Sequence, residues 1–311
     1  MFSYTIRRLL GLIPVLAAAL VLTFVATRFV PGDPVMVMLG DQSSNLELAN
    51  SLRKQYGLDR PLWEQFLTYL SGLSHGNLGL SFRHPGVPVT EVIHDALWIS
   101  PVLALAALTL AVPIGLALGI FAALRRNTAA DTGVMLVLVT GLSVPNFAMA
   151  AFFVWLFSLQ LGWLPVAGWT RTAHAVLPIV LLTIPPAAYI ARLARTFMLE
   201  VMQQDYIRTA RAKGLRERLV IWRHGLRNVL VPLLTVIGVI FGGLITGTFV
   251  IETLFNIPGL GRIAIQSIFA RDYPVAMGIV LLFTLFYALI NCLVDVLYSV
   301  VDPRIRIEGR A

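Results

Sequence analysis

Residues 7–30 read RRLLGLIPVLAAALVLTFVATRFV, two arginines followed by a 22-residue, predominantly apolar run from Leu9 to Val30. At a helical rise of about 1.5 Å per residue such a run crosses the hydrocarbon core of a bilayer. It is longer than the apolar region of a signal peptide, and no small-x-small cleavage site with a polar flank follows. The segment is therefore expected to be a retained span. Five further apolar runs follow, at Ile99–Leu124, Val134–Leu161, Ala175–Leu193, Val229–Ile251 and Val275–Val296. Six spans place both termini on the same side of the membrane.

Composition agrees with the pattern. Of 311 residues 13% are charged and 58% hydrophobic, and mean hydropathy is +0.81. A soluble domain carries about 25% charged residues, and this chain has too few polar groups to cover a soluble core. Disorder and a disulfide scaffold are disfavoured by the same figures and by the single cysteine, Cys292.

The formal charge of +8 could suggest nucleic acid, but its distribution follows topology. Nine of the 24 Lys and Arg residues lie between Arg192 and Arg227. Others pair at Arg7/Arg8 and Arg125/Arg126, and Arg304, Arg306 and Arg310 close the chain. With six spans all these clusters fall on one side, and the positive-inside rule makes that side cytoplasmic. No nucleic-acid partner is expected; membrane lipid is. Segment 31–98 and the loops near 162–174 and 252–274 then face outward. The fold class expected is an all-α polytopic membrane protein with six transmembrane helices and cytoplasmic N and C termini.

Proline interrupts several runs, at Pro113, Pro145, Pro178 and the pair Pro185-Pro186, and Pro232 opens another. A proline inside a span frees a carbonyl that must find a partner in protein or a wet cavity. Pro113, Pro145, Pro185 and Pro186 are thus candidate kinks. Gly115/Gly119, Gly238/Gly242 and Gly243/Gly247 stand four apart, a spacing that lets helices approach closely. Deep ionisable groups are almost absent: Asn146, Gln160 and Asn291 are polar, and Asp295 lies near the end of the last run. This disfavours an ion-coupled transporter.

The chain also lacks the usual catalytic signatures. Its two lysines, Lys54 and Lys213, follow Arg53 and Ala212, so neither completes a Walker A loop. There is no His-Glu-x-x-His, Cys-x-x-Cys or Gly-x-Ser-x-Gly. His75, His84, His94 and His174 are spaced too irregularly for one helical face, and no metal site is expected. The expectation is a chain that is not an enzyme and holds no cofactor.

The basic stretch after the fourth run is the most informative. Asp205-Tyr206-Ile207-Arg208-Thr209-Ala210-Arg211-Ala212-Lys213-Gly214-Leu215 reads as a short helix, with Asp205 at its start and Gly214 ending it in a left-handed conformation. Arg216–Arg227 continues the positive charge, and Pro232 is expected to start the fifth span. The result would be a small helix–turn–helix beneath the membrane with small residues on its exposed turn. It suits either a lipid-headgroup-binding loop or, as preferred here, a docking element for a cytoplasmic partner.

Residues 205–232 resemble the "EAA" coupling loop of ABC importer permeases, in the form carried by the dipeptide/oligopeptide/nickel permease subunits. The resemblance extends through Pro31-Gly32-Asp33-Pro34, Gly57-Leu58-Asp59-Arg60-Pro61, Gly76–Ser81, Asn256–Arg262, Arg271-Asp272-Tyr273-Pro274 and Val301–Arg306. Arg208-Thr209-Ala210 stands where the general motif has Glu-Ala-Ala, and Gly214 is retained. What the resemblance implies is a type I importer (MetI-like) permease fold in the bacterial inner membrane. A homologous second permease would complete the pathway. Two cytoplasmic ATPase subunits, holding ATP and Mg, would dock on the coupling loops, and an external solute-binding protein would deliver cargo. Peptides are the leading cargo, with nickel or glutathione as alternatives. The implied organisation is 1–98, the first span with a long external segment, and 99–311, a permease core of five spans with coupling loop 192–231.

In segment 31–98, Leu46–Tyr56 and Pro61–Leu73 have amphipathic helical spacing, with Trp63, Phe66, Leu67 and Leu70 on one face. The segment suits a cap on the outer bundle, or a dock or gate for the binding protein. Gate or docking candidates are Pro31, Gly32, Asp33 and Pro34, and, in the later loop, Glu252, Pro258, Gly259, Gly261 and Asp272.

Overall fold

The computed structural model describes residues 8, 10–29, 32–40 and 44–301, without the side chains of 295 and 297–301. Arg7, Pro31, the Asp295 side chain, Arg304, Arg306 and Arg310 lie outside the described residues. Among the described residues five helical stretches are long and apolar enough to cross a membrane: Leu12–Phe29, Val89–Leu124, Ala173–Val201, Glu217–Leu254 and Tyr273–Val294. The remaining expected run is not one rod. Ala129–Ser143 and Asn146–Gln160 meet at 102° and make a sixth span when taken together. Val144 is extended and Pro145 opens the second helix, because a residue before proline is driven out of the α region.

The chain forms two compact units, residues 1–100 with 257–288, and residues 101–256 with 289–311. In the first, α1 (Leu12–Phe29) is followed by α2 (Pro34–Leu39), α3 (Leu46–Gln55), α4 (Leu62–Ser74), α5 (Val89–His94) and the start of α6 (Ala96–Leu124). Asp33 caps α2 by accepting from the Val35 amide at 2.9 Å and pairs with Arg53 of α3 at 2.5 Å. Pro34 fits the first helical turn, where its missing N–H costs nothing. Phe24 of α1 meets Phe66 of α4 edge-to-face at 5.2 Å. The unit's core joins Val89, Ile93 and Ala96 to Leu260, Val275 and Ile279, residues far apart in sequence.

The second unit contains α7 (Ala129–Ser143), α8 (Asn146–Phe153) with a π-helical continuation to Gln160, α9 (Ala173–Val201), α10 (Asp205–Ala212), α11 (Glu217–Leu219), a π-helical stretch Val220–Leu226, α12 (Arg227–Gly247) and α13 (Phe249–Leu254). The glycine pairs serve different ends. A Cβ on Gly115 would lie 2.8 Å from the Ala187 carbonyl, and one on Gly119 2.3 Å from that of Ala191, so α6 rests against the backbone of α9. Gly238 stands against the Val294 side chain, whereas a Cβ on Gly243 or Gly247 would meet nothing within 4 Å. Asp131 of α7, nearly fully buried, takes both guanidinium bonds of Arg195 of α9 at 2.8 and 2.7 Å. Pro113, Pro185 and Pro186 lie inside the continuous helices α6 and α9.

Pro232 does not open the fifth span, contrary to the sequence expectation. It lies inside α12, and helix begins upstream at Glu217. The cause is packing: Val220 is buried against Ile207 and Ala210, and Val229 against Met198, which holds the basic stretch helical ahead of the proline.

Candidate functional site

Helix α9 continues to Val201, so the exposed connection that follows is short. After it, α10 starts from Gln204 in an extended conformation with no side-chain cap, and Asp205 supplies negative charge in the first turn. Its end is a Schellman motif. The Leu215 amide donates to the Ala210 carbonyl at 3.3 Å and the Gly214 amide to that of Arg211 at 2.9 Å. Gly214 has φ +72°, and a Cβ there would meet nothing within 4 Å. Glycine is thus needed for the backbone conformation and not for space.

One side of α10 is closed off. Ile207, Ala210 and Val220 form a small core with Val201, Met202 and Leu215 packed against it. Ala210, a member of the expected docking stretch, is only 5% exposed. A small residue at that position admits Leu215 beneath the turn, the apolar contact that accompanies a Schellman ending. Asp205, Tyr206, Arg208, Thr209, Arg211, Ala212, Lys213 and Gly214 remain exposed. Arg211 reaches across the turn to Glu217 at 3.1 and 2.6 Å, which ties the two arms together.

Beside the turn lies an open groove lined by Gly214, Leu215, Arg216, Arg218, Leu219 and Trp222. Trp222 is 58% exposed and Leu219 41%. Neither residue stands out in the sequence, where the density of arginine dominates the stretch. Trp222 is the available signal, being the one aromatic residue between Arg208 and Arg227.

The remaining candidates are divided between the two units. Gly32, at φ +110°, lies directly against the Arg271 guanidinium. Asp33 and Pro34 build the start of α2. Gly259 precedes α14 (Leu260–Phe269), with Pro258 before it and Gly261 buried within it. The Leu260 amide donates to the buried Ser100 hydroxyl at 2.9 Å. Asp272, 2% exposed, stands immediately before α15 (Tyr273–Val301). Its carboxylate accepts from the Ser81 hydroxyl at 2.5 Å and from the Phe82 and Arg83 amides at 3.0 and 3.2 Å. Glu252 belongs to the other unit, is fully buried, and accepts from Thr248 Oγ1 at 2.6 Å. Among the described residues no group of three or more His, Cys, Asp or Glu is arranged to hold a metal ion.

The second unit also has a cavity of about 320 Å3 whose lining includes Asn146, Pro185, Pro186, Tyr189, Gly243 and Gly247. Prolines and the unmatched glycines thus share one surface. Among the described residues that surface carries no charged side chain, so any passage along it would be neutral.

Residues 115–307 match the family described as binding-protein-dependent transport system inner membrane component, and residues 1–97 match the N-terminal module of such membrane components. The chain is 42% identical over 306 residues to the glutathione transport system permease protein GsiC of Shigella flexneri serotype 5b (strain 8401), covering 98% of this chain and 99% of the relative. The protein of that name from Pectobacterium atrosepticum is 44% identical over 308 residues, with the same coverage. Among solved structures, a chain of the MetNI methionine ABC transporter in inward-facing conformations gives a TM-score of 0.60 at 19% identity, covering 68% of this chain and 97% of that one. A chain of an amino acid ABC transporter with histidines gives 0.56 at 15% identity, covering 74% and 97%. These two likenesses speak to the fold of the helical core. With its apolar spans, helical core and family match over most of its length, the chain belongs to the binding-protein-dependent transport system inner membrane component family and is a multi-pass permease subunit of an ABC importer.

Proposed function

We propose that this permease forms half of a peptide-conducting pathway, paired with a homologous second permease, and that α10 with its Schellman turn receives one of two cytoplasmic ATPase subunits. ATP and Mg are held by those ATPases, because neither lysine of this chain completes a nucleotide cradle. An external solute-binding protein delivers cargo to the outer face. The observation that carries the docking reading is the exposed turn at Gly214 flanked by the open apolar groove at Leu219 and Trp222. Exposed aromatic and aliphatic side chains beside Arg216 and Arg218 make a partner-binding surface.

Force on this turn has a route into the membrane. Ile207 and Ala210 pack on Val220, and Met198 at the end of α9 packs with Val229 of α12. A push on α10 therefore reaches both spans as a rigid displacement. The test uses a single cysteine at Ala212 in a chain with Cys292→Ser. Cross-linking to the ATPase during turnover is the expected result; absence of any ATPase adduct with transport intact would refute the contact. For cargo, glutathione is the first compound to supply, because it is a tripeptide and relatives 42–44% identical are named for its transport. Uptake of glutathione or short peptides by the reconstituted importer, driven by ATP and dependent on the binding protein, is expected.

A further inference from the structure

Within the first unit, a cavity of about 320 Å3 opens between α1, α3, α4 and the start of α15. Arg28, Lys54 and Arg60 line it, and among the described residues no Asp or Glu does. Three buried polar atoms among its lining residues have no hydrogen-bond partner: Arg28 Nε, Tyr69 Oη and Tyr273 Oη. Tyr273 is 6% exposed overall. The Arg28 guanidinium lies 4.9 Å over the Phe24 ring and donates to Gln65 Oε1, which leaves its Nε unsatisfied. Buried donors left without partners are costly, and three around one cationic cavity signal a missing acceptor.

Phe24 and Arg28 also line a second recess, and that one is apolar. Val21, Val25 and Phe29 of α1 face Leu62 and Trp63 of α4 there, and all five are exposed. The two recesses thus share Phe24 and Arg28 near the end of α1, one cationic with hydroxyl donors and the other apolar. A soluble anion would use only the first.

We propose that this composite site holds one anionic phospholipid, with its phosphodiester at Arg28 and Tyr273 and an acyl chain in the groove between α1 and α4. Lys54 and Arg60 add attraction at the mouth. A lipid seated there would fasten the amphipathic helix α4 to the first span, filling the space beside the Phe24–Phe66 contact.

The test is native mass spectrometry of the full importer complex in detergent, supplied with phosphatidylglycerol or phosphatidylcholine of identical acyl chains. Each cation near a headgroup of net negative charge contributes about fivefold; the choline ammonium cancels the phosphate charge of phosphatidylcholine, so phosphatidylglycerol should be retained more than about tenfold over it. Arg28→Gln should cut that preference by about fivefold, and Arg28→Lys should restore part of it. Lys54→Gln, at an exposed position, should weaken the preference even if Arg28→Gln fails to assemble. Trp63→Ser should lower retention of both lipids without changing their ratio. Equal retention of the two lipids by the unaltered complex, or a preference unchanged in both Arg28→Gln and Lys54→Gln, would overturn the assignment. So would displacement of the lipid by millimolar glycerol phosphate, which would identify the cavity as a site for soluble anions.

Discussion

Asp272 and Gly214 each stand at the end of a helix, and the surroundings of the two differ in kind. Asp272 is buried at the start of α15, with three donors from residues 81–83 around its carboxylate. Gly214 closes α10 in open space, held by two backbone hydrogen bonds and a left-handed φ. The outer junction depends on chemistry: remove the acceptor and three donors lose their partner. The cytoplasmic turn depends on conformation: any L-residue can be accommodated sterically, but its backbone resists. A buried carboxylate therefore fixes position, while a glycine turn leaves a surface free for another protein.

The largest effect expected on this contrast is from Asp272→Ala. Stranding the Ser81 hydroxyl and the Phe82 and Arg83 amides should destabilise the first unit by about 3–5 kcal/mol. The check is accelerated proteolysis between residues 75 and 90 in the purified chain. Survival of this segment at the original rate would remove the distinction between the two ends. Gly214→Val comes next, with about 1–2 kcal/mol of backbone strain. On the docking reading it should reduce ATP-driven uptake about tenfold or more while membrane insertion, measured by fractionation, stays unchanged. Retained uptake would make the turn a structural ending only.

Smaller changes sharpen the comparison. Tyr69 on α4 has its phenol pushed up to about 12 by burial, from an ordinary 10.0. The unfolded chain gives up this proton first, so the stabilising contribution is complete below pH about 10 and falls as pH rises through about 12. Tyr69→Phe should flatten that decline in thermal melts taken between about pH 9 and about pH 11; an unchanged slope would show that the phenol is solvated. Glu217→Gln should have the least effect, below about 1 kcal/mol, because the Arg211 pair it breaks is exposed. A large loss of melting temperature would mean that the turn relies on charge as the outer junction does.

Much of the fold was legible because lipid demands long apolar runs. Leu9–Val30 and its five successors mark the spans, and the bend in one of them is visible as Pro145. Gly214 is legible too, since a glycine after a short basic helix has one common conformational use. Asp272 is not: its partners lie 189 to 191 residues upstream, and nothing local in Arg271-Asp272-Tyr273 points to Ser81. The Asp131–Arg195 pair is hidden for the same reason, being 64 residues apart. Ala210 and Pro232 show a different limit. Their neighbours suggested a surface position and a helix start, but Ile207, Val220 and Val229 packed around them and decided otherwise.

The grip of Asp272 on two backbone amides gives the outer junction an internal clock. In deuterated solvent, Phe82 and Arg83 can exchange only when the carboxylate lets go, so their labelling times measure the lifetime of that junction directly. An importer that holds its outer segment still through the transport cycle would leave these two protons protected during turnover. One that releases the segment in each cycle would label them at a rate set by ATP.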